Sequence, residues 1–122
     1  DMLAVQKDVY SALHHGLANA ILLPHGMRFN LPVCAPRYRQ VAEAFGLDVK
    51  GRSDAQAGEM AIRAVEEFTA KTGLPRRLSE VDIPKDDFPE VARRAVADPG
   101  MKSNLRRVTD PREIVPVLLA AW

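Results

Sequence analysis

The sequence predicts an all-α protein, a helical bundle formed by one domain over residues 1–122. Aromatic residues make up only 6% of the chain, and alanine is frequent. No segment alternates apolar and polar residues as a half-buried strand would, whereas apolar residues recur at three- and four-residue spacing. A chain of 122 residues can bury roughly two thirds of the surface that its unfolded form exposes, enough for one core.

Taken in order, the first helix is expected over residues 16–30. Leu17, Ala18, Ala20, Ile21, Leu22 and Leu23 wrap its whole circumference, and Pro24 should kink it. A shorter helix carrying Tyr38, Val41, Ala42 and Phe45 stops at Gly46. Over residues 53–72, Ala57, Met60, Ala61, Ala64, Val65 and Phe68 form the inner stripe, while Glu59 with Arg63 and Glu67 with Lys71 make four-apart pairs outside. Ser53 or Asp54 caps this helix and Gly73 ends it. Phe88, Val91, Ala92, Ala95 and Val96 give another helix, stopped near Asp98, Pro99 and Gly100. The last helix opens on a capping box, with Asp110 at the cap, Pro111 first and Glu113 third. From Ile114 to Trp122 it is apolar on almost every side, with Pro116 one turn in. Residues 47–52, 74–84 and 99–109 read as loops. Two helices that are apolar all round imply more burial than one small bundle supplies, so a partner surface is expected.

Charge and cysteine content narrow the function. The formal charge of +1 lacks the basic excess that neutralises a run of phosphates, so no nucleic-acid partner is expected. No apolar run approaches the ~20 residues of a membrane-spanning helix, so no membrane partner is expected either. Cys34 stands alone, with no second cysteine for a disulfide, a zinc knuckle or a redox pair, which suits a reducing cytoplasm. It reads as a small buried thiol.

Most catalytic templates fail. The glycines form neither a dinucleotide fingerprint nor a phosphate loop, and no nucleophile elbow or His-Glu-x-x-His pair occurs. Asp86 and Asp87 sit where acids favour a helix start, and Arg37, Arg39, Arg76, Arg77, Arg93, Arg94, Arg106 and Arg107 are scattered. The three histidines, His14, His15 and His25, cannot chelate one ion by local spacing. On a continuous helix His14 and His25 would stand some 16 Å apart, and His15 and His25 would point in different directions. Taken singly, each reads as a structural or surface residue.

The run from His14 to His25, in which His15-Gly16 is followed by Asn19-Ala20 and Leu23-Pro24, then by Arg28, Phe29 and Asn30, closely resembles a known signature. It is the HG-x-x-NA-x-x-LP motif in the C-terminal helical domain of the iron-containing (group III) alcohol dehydrogenases, a family with a dehydroquinate synthase-like fold. Gly73-Leu74-Pro75 with Leu78 resembles the family's GLP turn. Ala95 to Asp98 is similar to a helix end, Ser103-Asn104-Leu105-Arg106 to its Asn-Pro-Arg loop, and Glu113 to Trp122 to its final helix. The likeness spans about residues 14–122.

The resemblance implies an oxidoreductase that moves a hydride between an alcohol and NAD(P), with a divalent metal, iron or zinc, polarising the alcohol oxygen. In the family one Asp and three His hold the metal; His15 matches one of them, while His14 and His25 match non-ligand positions. Asn19, four residues on, would help fix the site. Residues 1–13 contain no histidine where the family has another ligand, although Leu3 to Lys7 looks like the stretch that precedes it. The family's N-terminal nucleotide-binding domain lies outside these residues. Two functions are therefore expected to compete. One is the metal-binding helical domain of such an enzyme, inactive as this chain alone. The other is a stand-alone interaction or oligomerisation module descended from it. The expected partner is a second copy of the chain or the family's N-terminal domain.

Overall fold

A computed structural model describes residues 15–122, apart from the side chain of His15. The expectations placed on Asp1 to His14 therefore lie outside the described residues. Four α-helices occur among the described residues, with no strand: α1 (His15–Ala44), α2 (Asp54–Lys71), α3 (Phe88–Ala97) and α4 (Val115–Ala120). Short 3-10 turns at Leu78–Val81 and Pro99–Ser103 punctuate segments expected as loops, and two more, at Lys85–Asp87 and Pro111–Glu113, precede α3 and α4. The all-α expectation holds. The chain forms two compact units, one from residues up to Leu22 together with Pro75–Trp122, the other Leu23–Leu74.

The two helices expected on either side of residue 30 are one. α1 continues through Pro24, Pro32 and Pro36 to Ala44, although each proline removes an amide donor and leaves the carbonyl four residues earlier without its usual partner. Gly46, with φ +79, then turns the chain in the left-handed region that glycine adopts without strain. The expectation that this segment is apolar-buried on all sides is corrected. Ala18, Ile21 and Pro24 are buried, but Leu23 is about half exposed.

In the unit Leu23–Leu74, α2 begins as expected. The Ser53 hydroxyl accepts from the Gln56 amide at 3.1 Å, and Gln56 Oε1 accepts from the Ser53 amide at 2.9 Å, a complete capping box. Ala42, Val49, Ala57 and Ala61 form a core against which Tyr38, Val41, Leu47 and Met60 pack. α1 and α2 approach closely at Gly58, where an added Cβ would collide with the Leu31 side chain. Arg39 ties the connection between them. Its Nε donates to Asp54 at 2.6 Å, its Nη1 to the Val49 carbonyl at 3.2 Å, and its Nη2 to the Arg52 carbonyl.

In the other unit, α3 packs against the Pro111–Glu113 turn and α4, burying Phe88, Val91, Ala92 and Ala95 on one face. Glu90 on its outer face accepts from Arg93 and Arg94, which together hold its carboxyl below the usual range. The last helix is shorter than expected. Asp110 accepts from the Arg112 amide and opens a 3-10 turn, and α4 runs only over Val115–Ala120. Pro116 therefore falls within the first turn, where its lack of an amide costs no helical hydrogen bond. α4 is not buried all round either: Ile114, Leu118 and Ala121 face the core, whereas Leu119 is about half exposed. The chain's last residue is held by several contacts. The Trp122 indole N–H donates to the Ile83 carbonyl, its own carbonyl accepts from the Ser79 hydroxyl, and Lys85 Nζ lies 3.8 Å above its ring.

Candidate functional site

The signature residues fall on α1. His15 is its first residue, and Gly16 and Asn19, which follow, are exposed. A start of a helix is a fixed backbone position, and a residue four further on returns to the same face. Residues 15 and 19 thus stand about one helical turn apart on α1. The side chains of His14 and His15 lie outside the described residues. Ala18 and Ile21, within the signature, are buried and anchor the helix, while Asn19 is exposed. His25 is half-buried further along α1 and takes part in its own interactions.

Among the described residues, no three of His, Cys, Asp or Glu gather into a group able to hold a metal ion. These residues do not assemble a metal cage by themselves. Cys34 is buried, as expected for a structural thiol, and Tyr38 packs beside it. Burial, with the neighbouring sulfur adding to it by charge and by a hydrogen bond, pushes the Tyr38 hydroxyl up to about 12. No helix among the described residues is long and apolar enough to cross a membrane.

Two grooves were not foreseen from the sequence. One, of about 550 Å³, is lined by Val96, Met101, Lys102, Asn104, Arg107, Val108 and Thr109. It includes the loop that resembles the Asn-Pro-Arg element, held in place by the Asn104 side-chain amide donating to the Arg106 carbonyl at 2.7 Å. The other, of about 530 Å³, is lined by Leu31, Arg52, Ala55, Gln56, Glu59, Met60 and Arg63. Beside it the expected four-apart pairs fail. Glu59 is engaged not by Arg63 but by Arg28 of α1, which donates Nε and Nη2 at 3.4 Å each and reaches Glu66 through Nη1 at 3.1 Å. Burial works against the Arg28 charge, but the two carboxylates outweigh it and its pKa is raised. Nor do Glu67 and Lys71 form an ion pair with each other. The sequence signal for the real pairing is weak, because Arg28 and Glu59 are 31 residues apart.

A sequence model described as "Fe-containing alcohol dehydrogenase family, C-terminal" matches residues 2–122, so the likeness extends beyond the expected start near residue 14. Lactaldehyde reductase from Escherichia coli (strain K12) is 38% identical over 108 residues, which is 88% of this chain and 28% of that protein. The 1,3-propanediol dehydrogenase from Citrobacter freundii is 35% identical over the same share of each chain. Among solved structures, a 1,3-propanediol oxidoreductase superposes with a TM-score of 0.93 and 32% identity, over 99% of this chain and 31% of that one. An alcohol dehydrogenase from Oenococcus oeni gives 0.90 and 26% identity over the same shares. The chain therefore spans less than a third of the length of these relatives.

Proposed function

Since the chain belongs to the Fe-containing alcohol dehydrogenase family, as part of its C-terminal helical region, we propose that it is the metal-ligating helical part of an oxidoreductase. That enzyme transfers a hydride between an alcohol and NAD(P). The observation that carries this reading is the ordered His15-Gly16-x-x-Asn19-Ala20 motif at the start of α1. When bound, the divalent metal, iron or zinc, would polarise the alcohol oxygen as a Lewis acid. Within this chain His15 supplies one imidazole nitrogen to it, and Asn19 fixes the surroundings of that ring. A single ligand leaves the remaining positions to water, so the chain alone binds metal weakly and does not turn over. Metal analysis of the purified chain tests this. The expected result is substoichiometric iron or zinc; a full equivalent that His15→Ala removes would overturn it.

A second reading has its own support in exposed apolar side chains. Leu23, Val33, Phe68 and Leu74 in one unit, and Leu105 and Leu119 in the other, are each about half exposed or more. Such surface favours association, with a second copy or with the family's nucleotide-binding domain. Light scattering that reports a monomer at high concentration removes the self-association branch.

A further inference from the structure

We propose that the groove on the unit Leu23–Leu74 binds a small carboxylate with an apolar tail, gripped by Arg52 and Arg63. The argument begins with how the acids around it are used. Glu59 and Glu66 are both engaged by Arg28, and Asp54 is held by Arg39 at 2.6 Å. Arg63 has Glu59 four residues before it and Glu67 four after, and pairs with neither. Arg52 gives only its carbonyl to Arg39. Neither guanidinium has an acidic partner among the described residues, and both line the same groove.

The remaining lining fits an amphipathic anion. Leu31, Ala55 and Met60 provide an apolar surface, and methionine adapts to irregular shapes. Gln56 has committed its Oε1 to the Ser53 amide in the capping box, so the end it can still offer is the donating NH2 group. The one carboxylate in the lining, Glu59, is already neutralised by Arg28. The groove thus presents donors and positive charge over an apolar surface, which suits the planar, two-oxygen acceptor of a carboxylate. Its volume of about 530 Å³ lies in the range of small-molecule sites.

Octanoate is the probe, titrated into the 122-residue chain while amide chemical shifts are followed, with 1-octanol as the uncharged control. Saturable shifts are expected at Ala55, Gln56, Met60 and Arg63, with octanol binding much more weakly. Replacing both cations, as Arg52→Gln with Arg63→Gln, should weaken octanoate about tenfold, the loss expected for charge-assisted hydrogen bonds. Both side chains are exposed, and circular dichroism verifies that the variant folds; if it does not, single Arg63→Gln decides, with a loss of about threefold. Arg37→Gln, an exposed arginine outside the groove, should leave binding unchanged. Raising the salt to about 1 M, where the Debye length falls to about 3 Å, should also weaken octanoate. The proposal is overturned if octanol binds as well as octanoate, if the arginine variants bind octanoate unchanged, or if no saturable shift appears in the millimolar range.

Discussion

Arg39 shows how one side chain can close a helical hairpin. It is half-buried and joins α1 to the carbonyls of Val49 and Arg52 and to the carboxylate of Asp54. The Arg39→Ala variant strands two carbonyl acceptors and one acid at the start of α2, and should lose about 1–2 kcal/mol in urea denaturation. Tyr38 carries a pH signature. Its hydroxyl is pushed up to about 12 in the folded protein, chiefly by burial, against about 10 in an unfolded chain. The folded state favours the protonated phenol, so this contribution to stability is complete below about pH 10 and is lost as pH rises towards 12. In a Tyr10→Phe background, which leaves Tyr38 as the sole tyrosine, absorbance at alkaline pH should show phenolate formation late and coincident with unfolding. Ionisation near pH 10 in the intact fold contradicts the burial argument.

At the scale of elements, α1 carries the largest local conflict. Pro32 and Pro36 are both exposed within a continuous helix, where each ring crowds the carbonyl four residues back. Replacing Pro36 with Ala restores an amide donor without disturbing a buried contact. Stability should rise by about 1 kcal/mol, the helical gain outweighing the added freedom of the unfolded chain; a fall in Tm would show that the proline shapes the helix usefully. The same residues explain what could be read in advance. Ser53, Gly46 and Gly73 act locally, and the boundaries they set were legible because a cap or a left-handed turn depends on a few neighbouring residues. The union of two expected helices into α1 was not legible, because local propensity places breaks at prolines that tertiary packing overrides. The capture of Glu59 by Arg28 was hidden for a related reason: spacing along one helix favours Arg63, and only the approach of α1 to α2 at Gly58 brings Arg28 within reach.

For the whole molecule, the family was legible from one contiguous motif, since His15, Gly16, Asn19, Ala20, Leu23 and Pro24 lie within a few turns of α1. A metal-ligand set could not be read the same way, because ligands from different segments converge only in space, and the described residues contain no group of three candidate ligands. The exposure of Leu23 and Leu119 corrected the expectation of all-round burial, Phe68 lies exposed and not in the inner stripe expected of its helix, and together with Leu105 these residues leave apolar surface for a partner. The central claim, that this chain contributes a metal-ligating histidine to a dehydrogenase that needs more than these residues, is tested most directly by hydride transfer. The part of Escherichia coli lactaldehyde reductase that precedes its counterpart of His14 is joined ahead of His14, and alcohol-dependent NADH formation is followed at the reduced nicotinamide absorbance. The fusion should be active and the 122-residue chain inactive, with fusion activity falling about 100-fold or more in His15→Ala at unchanged helix content. A His15→Ala fusion as active as its parent, or turnover by the chain alone, would contradict the account.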